Sequence, residues 1–283
     1  MQINEALELF VVQLKADGRS PHTIAQYRRH VGLLASWLGR TPIEKVDHER
    51  IAVFLGTSAA RCTPEGRPKR ATSVNAMRTS MRMFFAFAHA AGYTTTNPAR
   101  LIRRARCSGP PPRALTGDEE ERLVAELSKG PERDRVLFLT MLRVGLRVSS
   151  ALALDIEDVD IDARELRLRT MKGGREEVAF IPTAIVEDLR AWIGERTSGP
   201  LFPGPSGRPV TCRHARRLFR GLLGSAGISR VQGTHALRHS LGDRLYRQTR
   251  DIELVRTALH HRSIASTMVY ARCGRERLRA AMT

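Results

Sequence analysis

The sequence predicts a mainly α-helical protein of two domains, the second carrying a small antiparallel β-sheet. Apolar residues recur at helical spacing through most of the 283 residues. One stretch, Leu166 to Thr170 and Val178 to Ile181, instead alternates in the manner of strands around a Lys172-Gly173-Gly174-Arg175 turn. Between the two helical regions, Cys107 to Arg113 reads Cys-Ser-Gly-Pro-Pro-Pro-Arg, where three prolines forbid helix and favour an extended connector. The expected domains are therefore 1–106 and 113–283.

In the first domain, Ser20-Pro21 offers a helix N-cap followed by proline at the first helical position. Ile24, Tyr27, Val31 and Leu34 then mark a buried face. A second helix carries Val74, Met77, Met81, Phe84, Phe85 and Ala88, with Gly92 as its stop. Between them, Arg61, Arg67, Lys69 and Arg70 lie on a Gly/Pro-containing loop that suits either phosphate contact or simple solvation. The second domain opens with Thr116 and Glu119 in capping-box spacing, followed by a mostly apolar helix around Val136 to Leu142. After the hairpin the chain reads as helical to its end.

Composition narrows the partners. The formal net charge is +18, which points to a polyanion, with nucleic acid ahead of an anionic membrane surface. Residues 1–112 hold seventeen basic and seven acidic residues, so the smaller part is the more basic per residue. Only five of the 47 basic residues are lysines: Lys15, Lys45, Lys69, Lys129 and Lys172. The cysteines Cys62, Cys107, Cys212 and Cys273 are widely spaced, which predicts neither a disulfide framework nor a zinc knuckle. The N-terminus lacks signal-peptide character, and no apolar run is long enough to span a bilayer, so a cytoplasmic location is expected. Asp155, Glu157, Asp158, Asp160 and Asp162 read as an exposed loop before a strand rather than a two-metal nuclease site.

Four clusters carry residues suited to chemistry: Val144-Gly145-Leu146-Arg147-Val148-Ser149; Lys172 at the hairpin turn; His235-Ala236-Leu237-Arg238-His239; and Leu259-His260-His261 with Tyr270 nine residues beyond His261. Singly, each is weak. His235 and His239 have the spacing of a helical metal pair, yet Ala236 stands where a metalloprotease needs its glutamate base. Taken together and in order, they resemble the tyrosine recombinase (phage integrase) superfamily, including its Xer-like and transposon- or phage-borne members. The stretch Gly18 to Leu38, then Phe84-Phe85 through Gly92 with Asn97-Pro98, is similar to that family's N-terminal core-binding (SAM-like) domain, a small helical bundle that clamps DNA.

The resemblance implies a site-specific recombinase with Tyr270 as nucleophile and a catalytic set of Arg147, Lys172, His235, Arg238 and His261. Guanidinium forks match phosphate oxygens, so Arg147 and Arg238 suit the charge that develops on a phosphodiester under attack. His235 and His261 add donors, with His235 the candidate general base. Lys172 is the implied proton donor to the departing 5′ oxygen, a task for which arginine holds its proton too tightly. The product would be a 3′-phosphotyrosyl link that a second 5′-hydroxyl reopens, with no metal, cofactor or ATP. The implied partners are double-stranded DNA with specific recombination sites and three further copies of the chain, with Arg275 to Ala281 as a short docking helix. The expected location is the cytoplasm, at the nucleoid. The rival readings are a DNA-binding regulator that keeps the fold without catalysis and a metal-dependent nuclease. Two positions depart from the family pattern. Ser150 stands where an acid is usual, and His260 replaces a glycine, a change that strains the backbone if the turn needs positive φ.

Overall fold

The computed structural model describes residues 1–107, 113–168, 177–261 and 263–271. The chain is mainly helical and divides into two units, Met1–Pro110 and Pro111–Thr283.

The N-terminal unit packs α1 (Ile3–Ala16), α2 (Pro21–Leu38), α3 (His48–Gly56), α4 (Ser58–Arg61) and α5 (Ala71–Ala90) around one core. Ser20 caps α2, its Oγ accepting from the Thr23 amide at 3.3 Å, with Pro21 at the first position as its spacing predicts. Aromatic edges fill the centre: Phe10 meets Phe84 at 5.7 Å between ring centroids, and Phe84 meets Phe85 at 5.0 Å. His30 is buried with Nδ1 2.8 Å from Ser80 Oγ. Burial, followed by Arg29 and Lys69, pushes its pKa down to about 4, so it joins α2 to α5 as a neutral polar link. The basic loop is partly committed to structure. Lys69 Nζ donates to the Ala59 and Ala60 carbonyls, and Arg61 Nε to that of Leu55.

The C-terminal unit is organised by α7 (Glu132–Val144), whose Val136, Leu137, Phe138, Met141 and Leu142 are almost wholly buried. Ahead of it, α6 (Gly117–Leu127) starts with the expected capping box: Thr116 Oγ1 accepts from the Glu119 amide, and Glu119 Oε2 from the Thr116 amide. The short α8 (Val148–Ala151) follows α7. Next come β1 (Val159–Asp160), β2 (Glu165–Leu168) and β3 (Glu177–Phe180), antiparallel in the order β1-β2-β3. Leu166 pairs with Ala179 and Leu168 with Glu177. Leu166, Leu168 and Ala179 are buried, while Phe180 points out at 72% exposure. The remaining helices are α9 (Val186–Ile193), α10 (Cys212–Ser225), α11 (His235–Thr249) and α12 (Ile252–Ala258). The hairpin turn with Lys172 and the segment Arg275 to Ala281 lie outside the described residues. No helix among the described residues is long and apolar enough to cross a membrane. Nor does any group of three or more His, Cys, Asp or Glu among them have a metal-holding arrangement.

Candidate active site

Gly145 makes the first corner of the site. It ends α7 in the left-handed region at φ 76°, where glycine has no Cβ penalty. Space requires it too, since a Cβ there would stand 2.6 Å from Leu241 Cδ2 and 3.0 Å from Leu259 Cδ2. The chain then passes buried Leu146 and turns outward at Arg147, the exposed N-cap of α8. Among the described residues, none accepts a hydrogen bond from the Arg147 guanidinium, so its donors are open to a ligand.

Arg238, one turn into α11, is only 5% exposed. Its Nη1 donates to the Gly145 carbonyl at 2.7 Å, and its Nη2 donates to the Leu259 carbonyl. One guanidinium therefore ties the end of α7 and the turn after α12 to α11. Burial, with Arg147 adding to it, lowers the Arg238 pKa to about 10; Tyr270 and Glu177 pull the other way. The group stays protonated at neutral pH.

Histidines surround this pair. His235 opens α11 and is exposed; its ring centroid lies 6.2 Å from that of His239, one turn on. Desolvation and then Arg238, Arg147 and Arg216 lower the His235 pKa. His261 follows α12, with Nδ1 2.9 Å from Oγ1 of the fully buried Thr267. That contact leaves its Nε2 for another partner. The pKa values of His239 and His261 fall to about 4, burial being the larger cause and cationic neighbours the rest. These depressions share one origin: a partly dry pocket already loaded with positive charge, which an anion would relieve.

Tyr270 is half-buried against Gly242 of α11, where a Cβ would stand 2.5 Å from its Cζ. Its hydroxyl lies 2.7 Å from Nδ1 of His239. Burial pushes the phenol pKa up to about 12, opposed by Arg238 and assisted by Asp243. At neutral pH this is a neutral phenol beside a neutral imidazole. Proton transfer between groups at about 12 and about 4 is steeply uphill, so in this arrangement His239 orients Tyr270 and does not ionise it.

Arg147, His235, Arg238, His261 and Tyr270 thus gather around one cationic pocket, linked by the influences of Arg147 on Arg238 and the histidines and of Arg238 on Tyr270. Lys172 lies outside the described residues. The resemblance makes His235 the candidate general base, and the structure adds His239 as the residue that the Tyr270 hydroxyl meets. The i, i+4 spacing of the two histidines was the available signal, since it sets both on one helix face. His260 does adopt positive φ, 47°, and its Nδ1 lies 3.4 Å from Glu177 Oε2. Where Ser150 replaces an expected acid, the carboxylate acting on Arg238 is that of Glu177, on β3.

A second feature was overlooked in the sequence. Arg213, Arg216, Arg217 and Arg220 are exposed along one face of α10, while Ala215, Phe219 and Leu223 bury the other. With Thr211 and His214, these arginines line a cleft of about 460 Å³. Arg216 acts on His235, so this cationic strip runs into the pocket. Its i, i+3, i+4, i+7 pattern is legible, but it stands among 42 arginines.

Residues 113–277 match the phage integrase family, and residues 7–92 match the phage integrase N-terminal SAM-like domain. The tyrosine recombinase XerC of Chromobacterium violaceum is 30% identical over 275 residues, covering 95% of this chain and 90% of that protein. The tyrosine recombinase XerA of Thermococcus kodakarensis is 27% identical over 283 residues, covering 98% and 94%. In fold, the chain is similar to lambda integrase (75–356), solved as a dimer bound to a COC′ core site: TM-score 0.75, 22% identity, 94% of this chain and 97% of that one. It is also similar to the XerH recombinase in a post-cleavage complex with a palindromic difH substrate: TM-score 0.74, 20% identity, 95% and 81%. With both domain matches in the expected order and a XerC relative aligned along nearly its whole length, the chain belongs to the phage integrase family, that of the tyrosine site-specific recombinases.

Proposed function

We propose that this chain cuts and rejoins double-stranded DNA at specific recombination sites through a 3′-phosphotyrosyl intermediate on Tyr270, without metal or ATP. The observation that carries the reading is the junction at Arg238. One buried guanidinium holds Gly145 and Leu259, is coupled to Arg147, and acts directly on Tyr270. A scissile phosphate between Arg147 and Arg238 would meet two cations already in place, with His235 and His261 as further donors.

Tyr270 Oη attacks phosphorus, the bond from phosphorus to the 5′ oxygen breaks, and that oxygen leaves as a hydroxyl. The phenolic proton passes to a base, for which His235 is the candidate carried by resemblance. The leaving oxygen takes its proton from Lys172, a role that also rests on resemblance. Rejoining reverses these steps with a 5′-hydroxyl from a second duplex. The resting phenol at about 12 is not activated. Phosphate entry would raise the depressed histidine pKa values, so that a histidine in the pocket becomes a better proton acceptor. The Arg213-to-Arg220 face of α10 suits the flanking phosphate backbone. Residues 1–106 form the core-binding domain and 113–283 the catalytic one. The active assembly is a homotetramer on DNA, in the cytoplasm at the nucleoid.

The test is a nicked duplex bearing a site selected from a random DNA pool, incubated in EDTA. A covalent protein–DNA adduct is expected, and Tyr270→Phe should abolish it while leaving DNA affinity nearly unchanged. An adduct that persists in the variant would overturn the choice of nucleophile. Site-specific binding with no adduct from the unaltered chain would favour the non-catalytic regulator, and loss of cleavage in EDTA the nuclease.

A further inference from the structure

Three consecutive residues after α12 each hold a different part of the pocket. The Leu259 carbonyl accepts from Arg238 Nη2. His260 reaches across to β3, with Nδ1 3.4 Å from Glu177 Oε2. His261 sets its ring against Thr267, and its carbonyl accepts from Arg256 Nη1 at 3.1 Å. The middle residue stands at φ 47°, a conformation that glycine adopts freely and histidine does not. A side chain kept against that backbone preference needs compensation. Here the imidazole is largely covered, at 15% exposure, and faces a carboxylate.

We propose that Glu177 is a positioning residue for the phosphate pocket: by holding His260 across from β3, it fixes the Leu259-His260-His261 turn, and with it the carbonyl that anchors Arg238 and the imidazole of His261. Glu177 is well placed for this. It is the first residue of β3, paired in register with buried Leu168, so its backbone is set by the sheet while its side chain reaches the turn. Among the described residues, His260 is the basic side chain within 4 Å of its carboxylate. Its charge also favours the protonated form of Arg238. Burial is the largest influence on the His260 pKa and lowers it; Glu177 opposes this, while Arg238 and Arg147 add to it. The role is indirect, since Glu177 touches the turn and not the reacting atoms.

This inference rests on the recombinase reading above, and its test separates the two. In the full chain, Glu177→Ala, Glu177→Gln, His260→Gly and the Glu177→Ala/His260→Gly double variant are compared for adduct formation in a single turnover on the nicked duplex, for DNA affinity and for urea midpoint. Glu177→Ala should slow adduct formation by about tenfold or more, because sub-ångström misplacement of phosphate-binding groups acts on rate. Its DNA affinity should stay within about twofold, since most backbone contacts remain. Glu177→Gln should recover most of the rate, its amide keeping the polar contact with His260 Nδ1. In the His260→Gly background, Glu177→Ala should have a much smaller effect, because the contact is already gone and only the influence of its charge on Arg238 remains. A wild-type rate for Glu177→Ala, no recovery with Gln, or an equal Glu177→Ala effect in both backgrounds would each overturn the proposal. Tyr270→Phe run alongside reports on the nucleophile alone. If it still forms adduct, the recombinase reading fails, whatever Glu177 does.

Discussion

Arg238 and Tyr270 share one pocket but are held by unequal packing. The helices and loop that aim the arginines stand on the main core of the C-terminal unit, where Phe138, Leu142, Phe219 and Leu237 are fully buried. Arg238 follows directly on Leu237, and Arg147 on buried Leu146. Tyr270 instead leans on a separate cluster whose buried members are Leu241, Val255 and Leu259. A small satellite cluster resists local opening less than a domain core does. The lesson is a division of packing: an arginine pair built on the core and a tyrosine docked on a thin layer, which under the proposed function are the phosphate clamp and the nucleophile. The resting hydroxyl fits that division, since it is bound to His239 and un-ionised.

Two glycines sharpen the contrast, one on each side of it. Gly145→Ala puts a methyl 2.6 Å from Leu241 Cδ2 at positive φ, in the corner that anchors Arg238. It should destabilise the C-terminal unit by about 2–4 kcal/mol, read as a lower urea midpoint, through overpacking and backbone strain together. Gly242→Ala puts its methyl 2.5 Å from Tyr270 Cζ. Leu259 Cδ1 also stands 2.9 Å away, but the nearest obstacle is a half-buried ring and the backbone lacks the positive φ of Gly145, so the ring should yield. The expected loss is under about 1.5 kcal/mol, with adduct formation slowed by about tenfold or more. Equal stability losses for the two variants would erase the distinction between clamp and docked nucleophile.

A smaller effect comes from pH. His239 and His261 have folded-state pKa values near 4, below the ordinary 6.5. The folded protein keeps them neutral, while the unfolded chain takes up protons as pH falls. Their contribution is therefore complete above about pH 6.5 and is lost progressively toward pH 4. Both are partly solvated, so between pH 7 and pH 5.5 the expected loss of stability is only about 1 kcal/mol in total. Replacing His261 with Gln should flatten the dependence. An unchanged slope would mean that its imidazole is not held neutral by the pocket.

Much of this site was legible because it lies in short ordered motifs with distinctive spacing. Gly145, Arg147, His235, Arg238, His261 and Tyr270 could be named from the residues that flank them. So could the Ser20 and Thr116 caps, whose signals are local in the chain. What escaped depends on distance in three dimensions. The partnership of His239 with Tyr270 spans 31 residues, and that of His260 with Glu177 spans 83, so neither leaves a local pattern. Gly242 leaves no signal in the sequence, because the ring that needs its missing Cβ comes from a later turn. The cationic face of α10 was hidden by abundance, since one arginine row in an arginine-rich chain carries little contrast.

The most direct test of the central claim is to find which residue carries the DNA. The adduct formed on the nicked duplex would be digested with nuclease and trypsin and mapped by mass spectrometry. The chain has four tyrosines, Tyr27, Tyr93, Tyr246 and Tyr270, and they fall in different tryptic peptides. The nucleotide mass is expected on the peptide 263–272, at Tyr270, joined through a 3′-phosphate. A nucleotide on the Tyr246 peptide, or on any residue other than Tyr270, would contradict the assignment.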